Sequence, residues 1–238
     1  LFRSVGNGMD AIEIILRALD IGPGDEVITT PMTAFATVLA VLRSGAVPVL
    51  ADIDLDTGLL NIESVLRCIS PKTKAVILVH LYGQMRDIEE WESVCAAHGI
   101  QLIEDCAQSH LASLFGRVAG SIGVAGAYSF YPTKNLGCLG DGGMIVSNNS
   151  LVNDRSKSLR NYGQSIRYHH PELGMNSRLD EIQAAILLER IKYLESFTNR
   201  RRAIAEKYYV GINNPNIKMM ARPQAPEAHV YHLFVVHS

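Results

Sequence analysis

A continuous apolar run from Ala75 to Leu81, AVILVHL, constrains the fold of this chain more than any other segment. The run has no regular polar alternation, which is typical of a strand buried on both faces of a parallel sheet. Helical and strand-like patterns alternate around it, and this order predicts an α/β fold with a mostly parallel sheet between helices. The expected strands are 27–30, 47–53, 75–81, 100–104, 128–131 and 144–147, and the expected helices are 11–19, 33–42, 61–69, 87–98 and 151–160.

Local signals indicate where several of these elements begin and end. We expect Thr33 to cap the second helix at its start, because its hydroxyl can bind a free backbone N–H group. We expect Gly45 and Gly99 to end two helices, because glycine adopts the left-handed conformation there without strain.

A long helical segment runs from Arg178 to about Tyr209, and it predicts a bridge between two domains. We therefore expect a large domain over 1–194 and the start of a smaller C-terminal domain over 195–238. The chain begins at Leu1 rather than Met and stops soon after the strand-like run HVYHLFVVHS. These ends predict that the large domain is incomplete at its N terminus and the small domain at its C terminus.

The composition disfavours several classes of function. A net charge of −2 over 238 residues indicates no surface for nucleic acid, and no run of eighteen apolar residues predicts a membrane span. The four cysteines lack CxxC spacing, which is typical of a reducing compartment. We therefore expect a cytoplasmic protein without a metal site; zinc ligation by Cys106 and the nearby His110 is the alternative.

One lysine stands out because its loop is otherwise free of positive charge. Lys134 lies in the segment SFYPTKNLGCLGDGG, whose glycines allow a backbone to approach a ligand closely. An amine in a partly desolvated pocket loses its proton more easily, and it can form a Schiff base with an aldehyde cofactor. The alternative is that Lys134 is an ordinary surface lysine.

Such chemistry also needs a carboxylate that keeps a pyridine nitrogen protonated, so that the ring accepts electrons from a substrate carbanion. Asp105 ends an apolar strand, and ligands of parallel sheets bind beyond the carboxyl ends of strands. Taken alone, Asp105 also suits a helix N-cap or a strand-end turn. Together, Lys134 and Asp105 predict a pyridoxal-phosphate (PLP) enzyme.

Four further segments suit the same cofactor. Gln108 would face the pocket of Asp105 and bind the ring hydroxyl, or it is a polar loop residue. The start of the first helix, Gly6 to Asp10, offers backbone N–H groups to a phosphate. Ser129 would add a hydroxyl, or it is a strand-edge serine. Phe35 would stack on the pyridine ring, or it packs in the core.

Several motifs together resemble the sugar-nucleotide aminotransferases of the DegT/DnrJ/EryC1/StrS family. The most specific motif is IEDCAQSH followed by SFYPTKNLGCLGDGG, and the others are GNGMDAIEIILRAL, GPGDEVITTP, GAVPVLADID, VHLYGQMRDI, LRNYG and GMNSRLDEIQAAIL. The resemblance implies PLP fold type I, the aspartate aminotransferase-like fold. Two positions depart from the family pattern. Met9 stands where many members have threonine, so only its backbone N–H can bind phosphate, and Cys106 stands where alanine is usual.

The resemblance also implies a role for each candidate residue. Lys134 would form the Schiff base and move protons, Asp105 would face the pyridine nitrogen, and Gln108 would lie near the ring oxygen. Phe35 would stack on the ring. Asn176 would reach the phosphate in the other subunit of an obligate homodimer, or it is a loop or N-cap residue. The residues implied to hold the phosphate within one chain are Gly8, Met9 and Ser129.

The implied function is transfer of an amino group from glutamate to a nucleotide-linked keto-deoxysugar, dTDP- or UDP-linked, with C3 as the preferred carbon. A PLP-dependent sugar dehydratase is one alternative, but those relatives carry histidine in place of Lys134. A non-catalytic PLP-binding regulatory or assembly protein is the other. Arg167, His169 and His170 lie in a loop that either touches the nucleotide or is solvated.

Overall fold

The computed structural model describes residues 1–238, and its main feature is a seven-stranded sheet between helices. The strands are β1 (Phe2–Val5), β2 (Glu26–Thr29), β3 (Val47–Leu50), β4 (Thr73–Val79), β5 (Gln101–Asp105), β6 (Ser113–Leu114), β7 (Arg117–Val118), β8 (Ala125–Ser129), β9 (Gly143–Val146), β10 (Lys218–Met219) and β11 (Val236–His237). The α-helices are α1 (Gly8–Ala18), α2 (Phe35–Ser44), α3 (Ile62–Cys68), α4 (Ile88–Ala97), α5 (Ser150–Leu159) and α6 (Glu181–Gly211).

The sheet has the strand order β1-β9-β8-β5-β4-β2-β3. The strands β3, β2, β4, β5 and β8 are parallel, whereas β9 is antiparallel to both of its neighbours, β8 and β1. The expected α/β fold with a mostly parallel sheet is confirmed. The carboxyl ends of β4, β5 and β8 consequently meet at one edge.

Alternate residues of the central strand β4 pack into two separate cores. Ala75, Ile77 and Val79 belong to a cluster of 23 buried residues that includes α1 and α5. Val76 and Leu78 belong to a cluster of 19 buried residues on the other face, which includes α3 and α4. Because both faces are covered from Ala75 to Val79, this part of the strand needs an apolar residue at every position, which explains its unbroken apolar sequence.

Two local features differ from the sequence-based expectations. Strand β1 was not expected, because FRSV is short and half polar; it forms only by pairing with β9, where Phe2 lies opposite Val146. The N-cap expected at Thr33 is wrong, since Ala34 holds that position without a side-chain cap. The Thr33 hydroxyl instead lies 2.9 Å from the Thr37 hydroxyl. Gly45 ends α2 with φ +90°, as expected.

Helix α6 is continuous through the position at which we expected a domain boundary. Leu187 and Leu194 on this helix pack against Phe130, Leu136 and Cys138 of the segment that contains Lys134. The division into 1–194 and 195–238 stays a prediction. No helix of the structure combines the length and the apolar character needed to cross a lipid bilayer.

A buried carboxylate fixes the connection between β5 and β8. Glu104 is fully buried, and its Oε1 accepts hydrogen bonds from the N–H groups of Ile122 at 2.7 Å and Gly123 at 2.9 Å. Its Oε2 accepts from the Gly120 N–H and pairs with His80 Nε2, both at 2.8 Å. Burial by itself raises the pKa of Glu104, but the hydrogen bonds from His80 and the backbone outweigh it, and the pKa is lowered.

We expect Glu104→Gln to lower the free energy of unfolding by about 3 kcal/mol, because an amide NH₂ would face buried backbone donors. The measurement is urea unfolding at pH 7. A carboxylate with a lowered pKa stabilises the fold above its unfolded pKa of about 4.3, and this contribution is lost as the pH falls through the folded pKa. The difference in the free energy of unfolding between Glu104→Gln and the parent should therefore become smaller at acidic pH.

Glu195→Gln, at an exposed position of α6, is the matched control and should change the free energy of unfolding by less than about 0.5 kcal/mol. An equal effect of the two substitutions would show that the Glu104 hydrogen bonds do not stabilise the fold.

Candidate active site

Three adjacent strands bring polar residues to one edge of the sheet. His80 follows β4, Asp105 ends β5 and Ser129 ends β8, with β5 between the other two strands. The loop that contains Lys134 leaves the sheet at the same edge. Ligands of parallel α/β sheets bind at this position, so the sequence-predicted residues lie where a site is expected.

Asp105 is 7% exposed and is held by two hydrogen bonds. Its Oδ2 accepts from the Thr37 hydroxyl at 2.8 Å, and its Oδ1 accepts from the Ala107 N–H at 3.0 Å. Asp105 therefore closes the strand-end turn with one oxygen and faces α2 with the other. Each carboxylate oxygen can accept a second hydrogen bond, so the group can still bind a protonated nitrogen.

Lys134 is half-buried in the loop that follows β8. Backbone hydrogen bonds of 2.7 Å from Phe130 to Gly142 and from Cys138 to Phe130 hold this loop closed. Burial lowers the pKa of the Lys134 amine, and the charge of the Asp105 carboxylate opposes part of that shift. The Asp105 carboxylate thus acts electrostatically on Lys134, which is not an ordinary solvated lysine.

The start of α1 lies against the end of β8. Asn7 caps α1, because its Oδ1 accepts from the Asp10 N–H at 2.8 Å, and the helix begins at Gly8. A Cβ on Gly8 would lie only 2.7 Å from the Ser129 Cβ, so no larger residue fits this contact. Met9 packs its side chain against the neighbouring core, which leaves its backbone N–H for a ligand. Backbone N–H groups at such a helix start attract anions.

Gln108 and Phe35 have groups that remain open to a ligand. Gln108 Oε1 accepts from the Tyr82 N–H at 2.5 Å, and its Nε2 amide has no partner in the protein. Phe35 begins α2 and is 68% exposed. Core packing of Phe35, the alternative from the sequence, is therefore excluded. Its ring is available for stacking.

Asn176 is exposed on the loop before α6, and it is not the N-cap, which is Asp180. The neighbouring Ser177 is buried and donates to Asp10 Oδ2 at 2.7 Å. The same hydroxyl accepts from the Gly6 N–H at 2.8 Å. The start of α1 thus anchors the loop that exposes Asn176.

Sequence reasoning missed two residues near the predicted ones. Thr37 binds Asp105 from the buried side of α2, and a single threonine in a helix carries little signal. His232 Nδ1 lies 2.9 Å from the Oδ1 of Asn135, the residue after Lys134. The only signal for this contact was a pair of histidines that interrupts the apolar run near the C terminus.

The zinc alternative is not supported by the arrangement of its residues. His110 packs against the ring of Tyr128, with 5.1 Å between ring centroids. Ligand atoms of His80, Glu104 and Cys106 lie within 4.8 Å of one another. Each oxygen of Glu104 already accepts two hydrogen bonds, so no lone pair is left for a metal ion.

The observed groups fit the chemistry of PLP. The backbone N–H groups at the start of α1 suit a phosphate. The free amide of Gln108 suits a ring hydroxyl, and the exposed ring of Phe35 suits a ring face. The amine of Lys134 and the carboxylate of Asp105 complete the set.

Known proteins of similar sequence include enzymes and a regulator. A dTDP-3-amino-3,6-dideoxy-alpha-D-galactopyranose transaminase of Aneurinibacillus thermoaerophilus is 46% identical over 232 residues, which are 98% of this chain and 64% of the relative. A pleiotropic regulatory protein of Geobacillus stearothermophilus is 43% identical over 233 residues, which are 97% of this chain and 63% of the relative. The chain thus spans less than two thirds of the length of either relative.

The similarity extends to three dimensions. The crystal structure of S. venezuelae DesV in complex with a ketimine intermediate matches with a TM-score of 0.94 and 43% identity, over 99% of this chain and 63% of DesV. The sequence pattern of the DegT/DnrJ/EryC1/StrS aminotransferases matches residues 3–238. The expected fold and the resemblance seen in the motifs are both confirmed, and the chain belongs to the DegT/DnrJ/EryC1/StrS aminotransferase family.

Proposed function

We propose that this protein is a PLP-dependent aminotransferase that transfers an amino group from glutamate to a nucleotide-linked keto-deoxysugar. The observation that carries this proposal is the half-buried Lys134 amine in the electrostatic field of the buried Asp105 carboxylate. Such a pair suits carbonyl chemistry on a pyridine cofactor. Membership of the aminotransferase family supports the same reaction class.

PLP supplies an aldehyde that reacts with amines and a ring that accepts electrons from the substrate carbon. Asp105 would hold a proton on the ring nitrogen, and its bonds to Thr37 and Ala107 mean that it needs no reorganisation to do so. Gln108 would donate its free amide N–H to the ring oxygen. Phe35 would cover one face of the ring.

Lys134 Nζ would move protons at the reacting carbon. A half-buried amine with a lowered pKa is uncharged for a larger fraction of the time near neutral pH than a solvated lysine is. The uncharged amine accepts a proton and the ammonium returns it. One residue can therefore serve as both general base and general acid.

The phosphate would bind at the start of α1. The backbone N–H groups of Gly8 and Met9 and the hydroxyl of Ser129 are the donors there, and the helix dipole favours a negative charge. Asn176 would add a further donor in a second copy of the chain, because it is exposed on a loop anchored by Ser177. The proposal therefore includes a homodimer with shared active sites.

A positively charged groove supports a nucleotide-linked substrate. A cavity of about 790 Å³ lies beside α5, and the acidic residues that line it are Asp154 and Glu172. Asp20 pairs with Arg155 at 2.7 Å from outside this lining. Burial and the charges of Arg178 and Arg3 lower the pKa of Arg160, which indicates crowded positive charge. A diphosphate would relieve this repulsion. The cationic residues of the groove are Arg155, Lys157, Arg160, Arg167 and Arg178.

The sugar itself is proposed from a relative. The A. thermoaerophilus transaminase is named for a dTDP-linked 3-amino-3,6-dideoxy sugar. We accordingly take a dTDP-3-keto-6-deoxyhexose as the acceptor to test first. Labelled glutamate and a set of keto-sugar nucleotides would extend the test to other acceptors.

A non-catalytic PLP-binding regulator is the second candidate function, because the G. stearothermophilus relative has a regulatory name. Both candidates predict PLP binding, but only the aminotransferase releases 2-oxoglutarate from glutamate when a keto sugar is present. The dehydratase alternative is disfavoured, because Lys134 stands where those enzymes carry histidine.

Lys134→Ala should abolish the visible absorption band of lysine-bound PLP and reduce turnover by about 10²–10⁴-fold or more, because the proton-transfer group is lost. Turnover is measured as 2-oxoglutarate release from glutamate with the dTDP-linked keto sugar. Lys207→Ala, at an exposed position of α6, should retain both signals. Normal turnover in Lys134→Ala would end the aminotransferase proposal, and a band without turnover in the parent protein would favour the regulator.

Asp105→Asn should reduce kcat by about 100-fold, because a neutral amide cannot stabilise a protonated ring nitrogen. Thr37→Val keeps the Asp105 carboxylate and removes one hydrogen bond to it. It should therefore lower kcat only about tenfold, which corresponds to roughly 1.5 kcal/mol in the activation free energy. Steady-state kinetics of both variants give the comparison. A kcat for Asp105→Asn within twofold of the parent would contradict the assigned role.

Asn176→Ala and Lys134→Ala should complement each other if the active sites are shared. Each variant alone should be poorly active, whereas a mixture after subunit exchange should recover up to roughly a quarter of parent activity, because half of the dimers are mixed and each has one intact site. Activity of the mixture equal to the average of the two variants would argue against a shared site.

A further inference from the structure

The segment from Ala228 to His232 packs against the turn after β4 and the loop of Lys134, although it lies far from both in sequence. The Val230 N–H donates to the Gly83 carbonyl and the His232 N–H to the Tyr82 carbonyl, both at 2.9 Å. A third bond, from the Met85 N–H to the Ala228 carbonyl at 2.8 Å, continues the pairing. The segment is thus held along the turn that follows β4.

Side chains connect this segment to the loop of Lys134. Asn135 is 8% exposed, and its Nδ2 donates to the Val230 carbonyl at 3.2 Å. That bond fixes the orientation of the amide, so Oδ1 is the atom that faces His232 Nδ1 at 2.9 Å. An amide oxygen only accepts, and Nδ1 of His232 must therefore carry the hydrogen.

The same turn also holds Gln108, so three parts of the site depend on it. Gln108 Oε1 binds the Tyr82 N–H, and His232 binds the Tyr82 carbonyl. Gly83 has φ +93°, and a Cβ there would lie 2.6 Å from Val230 Cγ2 and 2.7 Å from the Gln108 carbonyl oxygen. No side chain therefore fits at position 83 where the turn meets this segment.

His232 is neutral, so its ring carries a single hydrogen, which is the one on Nδ1. Burial and the charges of Lys134 and Arg201 lower the pKa of His232 to about 4. Arg201 donates to the carbonyl groups of Tyr231 and His232 at 3.2 and 3.3 Å and so holds the segment from its other side. His232 is therefore neutral at pH 7, and it adds no repulsion to a protonated Lys134.

We propose that Asn135 and His232 form a positioning pair that fastens the Lys134 loop to the C-terminal segment and keeps water away from the Lys134 amine. Neither residue is assigned to the reaction itself. The catalytic value of the pair rests on the proposed aminotransferase function, but its effect on the amine does not. The groups whose charges act on Lys134 and its surroundings are Asp105, His110 and His232.

The test compares His232→Leu with His232→Asn in the chain without added PLP. Asparagine keeps an N–H donor near the position of Nδ1, whereas leucine fills the space and removes the donor. Acetic anhydride labels uncharged amines, and mass spectrometry gives the rate at Lys134 from pH 6 to 11 with exposed Lys207 as internal reference. The pH midpoint of the relative rate reports the ionisation of Lys134.

We expect the midpoint for Lys134 to lie below that of Lys207 in the parent chain. In His232→Leu it should move up towards the ordinary lysine value of about 10.4, because the lost bond to Asn135 frees the loop and water reaches the amine. In His232→Asn it should stay near the parent value. An unchanged midpoint in His232→Leu, or equal behaviour of the two variants, would overturn the proposal.

A second measurement does not depend on the folding of any variant. Nitrogen-15 NMR of the parent chain should show His232 as the neutral Nδ1–H tautomer at pH 7. An imidazolium or an Nε2–H tautomer would contradict the assigned hydrogen bond to Asn135. Because both measurements omit PLP, they separate a failure of the positioning pair from a failure of the aminotransferase proposal, which Lys134→Ala tests.

Discussion

Parallel pairing places the ends of β4, β5 and β8 at one edge of the sheet, and the candidate site is built on those ends. His80, Asp105 and Ser129 are far apart in sequence, yet they come side by side because parallel strands end together. The Glu104 carboxylate maintains this alignment from within, since it binds three backbone N–H groups of the segment before β8. A buried charged group whose hydrogen bonds are all satisfied rigidifies the loop that supplies them.

Two opposing electrostatic effects meet at Lys134. Transfer out of water disfavours the ammonium form, and the Asp105 carboxylate favours it. The effect of burial is the larger one, so the pKa of the amine falls even though a carboxylate is near. Separate parts of the chain hold the loop of Lys134 in place, since Phe130 after β8 closes the loop and His232 contacts Asn135.

The net charge of the molecule does not describe the local charge of the groove beside α5. A net charge of −2 disfavours a nucleic-acid surface, and that expectation concerned the average over the molecule. Locally, the groove beside α5 gathers four arginines and a lysine around two carboxylates. A small polyanion needs only such a local field, whereas a nucleic acid needs an extended one.

The sequence alone determined the α/β class, because a strand buried on both faces needs the unbroken apolar residues of β4 and helices need their own periodicity. It also indicated Lys134, as a lone cation in a glycine-rich loop, and it indicated Asp105 only in combination with that lysine. It did not determine β1, because FRSV is too short and polar to indicate a strand by itself and becomes one only by pairing with β9. Only the tertiary structure decided that Thr37 holds Asp105 and that His232 holds Asn135, 68 and 97 residues apart in sequence. Such contacts arise from packing between distant segments, and local periodicity and capping patterns carry no information about them.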